Sequence, residues 1–203
     1  AMDLATAGAA EELRRRTDSL GVDVDVLVNN AGFGQHGQLL DTPWERTAQL
    51  IQLDMVTLTE LTRLYAVDMV ARGRGWILQV ASVSAYQPTP TYASYAAAKS
   101  YVLSFGEALA HELQGTGVHC TVVSPGVTAT EFMEAAGHRL TLFDRMLMME
   151  SPAVARAGIR AMLAGAGTVV PGFANAFNTW AMRFLPRGWA TAIAALTMRL
   201  GAR

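Results

Sequence analysis

The chain's 203 residues are 51% apolar with a mean hydropathy of +0.22, enough for one substantial core in a single domain over 1–203 and too apolar for a disordered chain. Sixteen Lys and Arg stand against seventeen Asp and Glu, and the net charge of -1 gives no electrostatic reason to expect nucleic acid or an anionic membrane as the main partner. A single cysteine, Cys120, excludes an internal disulfide and a Cys-rich metal site and suits a reducing compartment.

The opening stretch carries neither a cationic start nor an apolar run, so no export signal is expected and the reading is cytoplasmic. Residues 6–20 are rich in Ala, Glu, Leu and Arg and end at Gly21, the composition and stop of a helix. Asp23 to Asn29 alternates and then runs apolar before an Asn/Gly cluster, predicting a short buried strand. From Pro43 to Met69 apolar residues recur at helical intervals until Gly73-Arg74-Gly75 ends the pattern, so one long helix, straight or bent, is expected. Trp76 to Ser82 reads as a second strand, Pro88 and Pro90 mark a loop, Tyr92 to Leu113 is helical, and Val118 to Val123 is a third strand ending at Ser124-Pro125-Gly126. Ser151-Pro152 launches a helix to about Leu163, and Thr168 to Pro171 supplies a fourth strand. The tail, about 173–202, carries Phe173, Phe177, Trp180 and Phe184 on one stripe and Trp189, Ile193, Leu196 and Leu200 on another, as two amphipathic helices whose aromatic faces are expected in the core or an interface, or as a lid over an apolar substrate. Arg183, Pro186, Arg187 and Arg199 interrupt them, so no membrane span is expected.

Strands alternating with helices predict the α/β class, a doubly wound and mostly parallel sheet. Ligands of such sheets bind beyond the carboxyl ends of the strands, where the polar clusters of this sequence fall. One of them, Gly32-Phe-Gly34-Gln-His-Gly37, matches G-x-G-x-x-G with Asp54 about 20 residues on. The context rejects a phosphate cradle, because Asp54 lies inside the long helix and Pro43 starts that helix well after Gly37. More informative are Tyr95 and Lys99, four apart and so on one helix face, where an ammonium beside a phenol favours the phenolate and lowers its pKa below about 10. Ser82, thirteen residues before Tyr95, ends the preceding strand and can offer a hydroxyl to a carbonyl oxygen that Tyr95 protonates; Ser84 is its rival. His36, His111, His119 and His138 show no metal-ligand spacing, and Cys120 reads as a buried hydrophobe.

Asn29-Asn30-Ala31-Gly32, Ser82, Tyr95-Ala-Ala-Ala-Lys99 and Pro125-Gly126-Val127-Thr128-Ala129-Thr130 occur in an order and spacing that resemble the short-chain dehydrogenases/reductases. Asp3-Leu4 also looks like that family's acidic site beside the adenine ring, and the Val-Val-Pro-Gly and Pro-Arg tail is similar to the group of DltE type. The resemblance implies a Rossmann-like fold and NAD or NADP as cofactor, with Tyr95 as general acid/base. Lys99 would lower its pKa and hold the nicotinamide ribose, and Ser82 would orient the carbonyl. By the same resemblance Asn30, Ala31 and Gly32 lie along the ribose, and Pro125, Gly126, Val127 and Thr130 meet the carboxamide. Asp54 stands where the family's relay asparagine would be. The family's glycine-rich T-G-x-x-x-G-x-G loop has no counterpart before Asp3, so about 60 residues of cofactor-binding half are expected to be absent, leaving the Asp23 to Asn29 strand as an edge for a homo-oligomer to cover.

The leading expectation is carbonyl/alcohol oxidoreduction on an apolar small molecule. A cofactor-independent hydrolase using Ser82, Tyr95 and Lys99 and a non-catalytic truncated remnant are the alternatives.

Overall fold

The structure, a computed structural model, describes residues 1–129 and 148–201. Helix α1 (Ala9–Ser19) ends at Leu20 and Gly21, and the chain enters β1 (Val26–Asn29). A short 3-10 turn, Leu39–Asp41, leads to α2 (Trp44–Ile51). The long helix expected from Pro43 is interrupted by a π turn, Gln52–Thr57, and resumes as α3 (Leu58–Arg72), capped by Gly73 in the left-handed region at φ 71°. Strand β2 (Gly75–Val80), a 3-10 turn Val83–Tyr86, helix α4 (Ala93–Glu112) and β3 (Val118–Val123) follow. After them come β4 (Thr128–Ala129), β5 (Met149–Glu150), α5 (Ser151–Leu163), β6 (Thr168–Val169), α6 (Phe173–Met182) and α7 (Arg187–Gly201). The pairing of β4 with β5 was not expected, since two residues carry no readable period.

The main sheet is four parallel strands in the order β1-β2-β3-β6, which makes β1 an edge. Hydrogen bonds continue the β2–β3 register beyond the strands, from Ala81 N to Val123 O at 2.8 Å and from Val83 N to Pro125 O at 2.9 Å. This carries Ser82 and Pro125 past the carboxyl ends side by side. One apolar cluster joins α1 and α3 to β1, β2 and β3 through Ala10, Leu61, Tyr65, Met69, Ile77 and Cys120. Another joins α3 and α4 to β3 through Leu58, Val102 and Val122. Between them Asn29 Nδ2 donates to Thr62 Oγ1 at 2.8 Å and to Gln79 Oε1 at 3.0 Å, while Gln79 Nε2 donates to Thr62 Oγ1 at 2.9 Å. All three side chains are buried, so this network satisfies polar groups that would otherwise be costly and fixes β1 against β2 and α3.

The aromatic stripes of α6 and α7 are not in the core. Phe173, Phe177, Trp180, Phe184 and Trp189 are all more than half exposed. Among the described side chains of α7, Ala190 and Ala194 are the buried ones, since small side chains let that helix approach the body. Among the described residues no helix is long and apolar enough to cross a membrane.

Helix α4 crosses the sheet closely at Gly106, where an added Cβ would collide with the Val122 side chain. Gly106→Val is therefore expected to lower stability by about 1–3 kcal/mol, read as a lower urea midpoint with an unchanged m-value.

Candidate active site

The carboxyl ends of β1, β2 and β3 deliver the polar clusters to one region. Beyond β1, Asn30 and Ala31 are exposed and Gly32 is half-buried. An added Cβ at Gly32 would lie 2.9 Å from Asp54 Oδ1 and 3.3 Å from Lys99 Nζ, so only a bare backbone passes over that pair. Beyond β2, Ser82 is buried, and its Oγ accepts the Ser84 N–H at 3.1 Å. This leaves the Ser82 hydroxyl proton to be donated elsewhere. Ser82 is within hydrogen-bonding reach of the Tyr95 phenol. Helix α4 then places Tyr95 and Lys99 one turn apart, with Lys99 Nζ 5.7 Å from the Tyr95 ring centre.

Lys99 is only 5% exposed. Its ammonium donates to Val80 O at 3.1 Å and faces Asp54 Oδ2, also at 3.1 Å. The π turn makes this possible: a widened turn rotates the helix face, and π turns concentrate at functional positions. Here Asp54 and Thr57 are fully buried, and Thr57 Oγ1 donates to Leu4 O at 2.9 Å. The backbone at Leu4 is thus tied to the floor of the site. Asp3 is exposed, and its Oδ1 accepts the Ala5 N–H at 2.8 Å.

Electrostatics differ from the sequence expectation. Burial pushes the Tyr95 phenol above its ordinary pKa; Lys99 and the Ser82 hydrogen bond pull it down, and Asp54 pushes it up again. Burial is the largest of these effects and outweighs the lysine, whose charge also faces the Asp54 carboxylate. Burial also raises the Asp54 carboxyl, opposed by Lys99 and by the Phe33 backbone amide.

The surroundings of Tyr95 are apolar: Leu50, Tyr92 and Ala98 form a buried cluster with it, bordered by Phe33, Met55 and Met198. Met198 arrives from α7, about a hundred residues away, and no local pattern could have found it. Thr91, two residues before α4, has a positive φ of 65° and its carbonyl accepts the Gly37 N–H at 2.8 Å, which locks the Gly32–Gly37 loop to the start of the Tyr95 helix. That loop is a wall of the site and not a helix-capping phosphate cradle. On the β3 side Pro125, Gly126 and Val127 are half-buried, and a Cβ at Gly126 would meet the Asn175 side chain. Thr130 lies outside the described residues, as does His138. His111, His119 and Cys120 line a recess of about 450 Å³ that includes the amino end of β3, the end away from Ser82 and Pro125, and burial pushes the Cys120 thiol up to about 12, which keeps it inert.

Residues 1–140 match the model of the family described as short chain dehydrogenase. The chain is 32% identical over 137 residues to a protein of Mycobacterium tuberculosis named probable oxidoreductase EphD, a match covering 67% of this chain and 23% of that protein. It is also 32% identical over 128 residues to the 7beta-hydroxysteroid dehydrogenase of Collinsella aerofaciens, covering 63% of this chain and 48% of that one. The chain therefore spans about a quarter of the first relative's length and about half of the second's. Among solved structures it resembles a 7beta-hydroxysteroid dehydrogenase in fold, with TM-score 0.82, 23% identity, and 95% and 74% of the two chains covered. A short-chain dehydrogenase from Sphingobium yanoikuyae in complex with NADPH superposes with TM-score 0.75 and 27% identity, covering 91% and 74%.

Replacing Lys99 by Met strands the Asp54 carboxylate without a partner and is expected to cost about 3–5 kcal/mol near pH 7. The folded-state pKa of Asp54 is raised, so its contribution is present at acid pH and is lost as pH rises through that pKa. Urea unfolding of Lys99→Met should accordingly show a smaller deficit at about pH 4 than at about pH 7, and the Asp54→Asn/Lys99→Met double variant should recover most of it.

Proposed function

We propose, on the premise that this chain belongs to the short-chain dehydrogenase family, that it serves the interconversion of a carbonyl and an alcohol with a nicotinamide dinucleotide as cofactor. The observation that carries this is the Tyr95 phenol beside the Ser82 hydroxyl and the buried Lys99 ammonium, at the carboxyl ends of parallel strands. The residues present suit the nicotinamide half of such a cofactor, since the bare backbone of Gly32 passes close over Asp54 and Lys99, where a side chain would collide, and Asn30 and Ala31 beside it are exposed. Lys99, Asn30, Ala31 and Gly32 would hold the ribose. Pro125, Gly126, Val127 and, by its place in the motif, Thr130 would border the carboxamide. Asp3 and Leu4 would lie toward the adenine. When bound, NAD or NADP supplies or accepts the hydride.

The chain's own residues orient the substrate and move its proton. Ser82, with its oxygen held by the Ser84 amide, donates its hydroxyl proton in a hydrogen bond to the carbonyl oxygen. Tyr95, kept protonated by burial, delivers a proton to that oxygen in reduction and takes it back in oxidation. Lys99 offers positive charge as the phenolate forms, and Asp54 limits how much of it Tyr95 feels. The wall of Phe33, Met55, Tyr92 and Met198 favours an apolar ketone or alcohol and sheds water from the proton path.

With NADH or NADPH and a panel of alicyclic and aromatic ketones, the chain should reduce at least one, with Tyr95→Phe and Ser82→Ala each lowering kcat by about 10²–10⁴-fold. Ester cleavage without nicotinamide that disappears in Ser82→Ala, together with no binding of either dinucleotide, would overturn the proposal in favour of a hydrolase.

A further inference from the structure

The net charge of -1 conceals an asymmetry. From Ser151 to Arg203 the chain carries six arginines, Arg156, Arg160, Arg183, Arg187, Arg199 and Arg203, and no acidic residue, while the first 150 residues hold ten basic against all seventeen acidic ones. Within this cationic segment α6 presents a continuous aromatic stripe to solvent. Phe173 and Phe177 stack with ring centres 6.4 Å apart, Phe177 and Trp180 at 5.9 Å, and Trp180 and Phe184 meet edge to face at 4.9 Å. Phe173 is 88% exposed and Phe184 70%. After the short turn at 183–186, α7 continues the pattern with exposed Trp189, Ile193 and Leu196. Arg183 and Arg187, both exposed, flank that turn.

From this we infer that α6 and α7 form a docking surface for an anionic lipid bilayer, with Phe173, Phe177, Trp180, Phe184 and Trp189 inserted at the interface and Arg183 and Arg187 facing the headgroups. Apolar patches this contiguous are not left to water without a partner. Helices with aromatic and aliphatic residues on one face and arginine beside it lie in the interfacial plane, and no described helix can span. Charge favours lipid over a second copy. A two-fold interface lays the patch on itself and brings arginine against arginine, and the segment has no acidic residue to pair with them. The first 150 residues carry a net negative charge, which favours approach to such a membrane through this cationic segment. The inner side of α7 packs Met198 against the Tyr95 cluster, so docking would set the Tyr95 side of the molecule near the bilayer. The inference stands on the surface alone and does not require the catalytic reading.

Co-sedimentation with vesicles of phosphatidylcholine containing about one-third phosphatidylglycerol, against phosphatidylcholine alone, tests it, with tryptophan emission as a second readout. Binding to the anionic vesicles with a blue shift is expected, weakened about tenfold or more in about 0.5 M salt. Phe177→Ser/Phe184→Ser and Arg183→Glu/Arg187→Glu should each weaken it by a similar factor, with circular dichroism unchanged because all four side chains are exposed. No binding to anionic vesicles, or binding that neither double variant weakens, overturns the inference. So does a dimer that Phe177→Ser/Phe184→Ser converts to monomer while vesicles stay unbound, since the face then serves a second copy.

Discussion

A lysine ammonium and an aspartate carboxylate 3.1 Å apart in a place closed to water hold each other there, because removing either leaves a bare charge in a poor solvent. The rest of the site is arranged around that pair. The π turn exists where Asp54 must face inward. Gly32 is the residue type that passes over the pair without collision, and the Val80 carbonyl at the end of β2 takes one ammonium proton. Tyr95, one turn earlier on α4, has its proton affinity raised by burial, and this pair adjusts it. A neutral amide at position 54 would leave Lys99 undivided beside the phenol; a carboxylate divides it.

Much of the architecture was legible because its causes are local. Four strands ending in Asn, Ser or Pro-Gly clusters, with helices between them, predict a parallel sheet and the edge that binds ligands, and Ser82, Tyr95 and Lys99 were readable from spacing along one strand end and one helix face. What escaped had non-local causes. The direction of the Tyr95 shift depends on how deeply its phenol is buried, with a smaller push from Asp54, which is distant in sequence. The π turn has no period of its own within the run from Pro43. Met198 reaches the Tyr95 cluster only through the path of the last helix. The role of Asn29 is to bind Thr62 and Gln79 within the core, which its place in a motif did not disclose.

The tail shows the same limit from the other side. Its stripes were read correctly as amphipathic, and amphipathicity ordinarily means a face for the core. In α7 the core takes the alanines instead, and the large aromatic residues point outward. Helical period identifies a face but not what meets it; exposure and the distribution of charge do.

The central claim, that burial raises the proton affinity of Tyr95 and the Lys99–Asp54 pair adjusts it, is tested most directly by an NMR titration of tyrosine labelled with ¹³C at Cζ. In the unaltered protein the Tyr95 resonance should titrate above an ordinary tyrosine, and in Asp54→Asn it should move downward. A Tyr95 resonance that titrates below the ordinary value, or one indifferent to Asp54→Asn, would contradict the account.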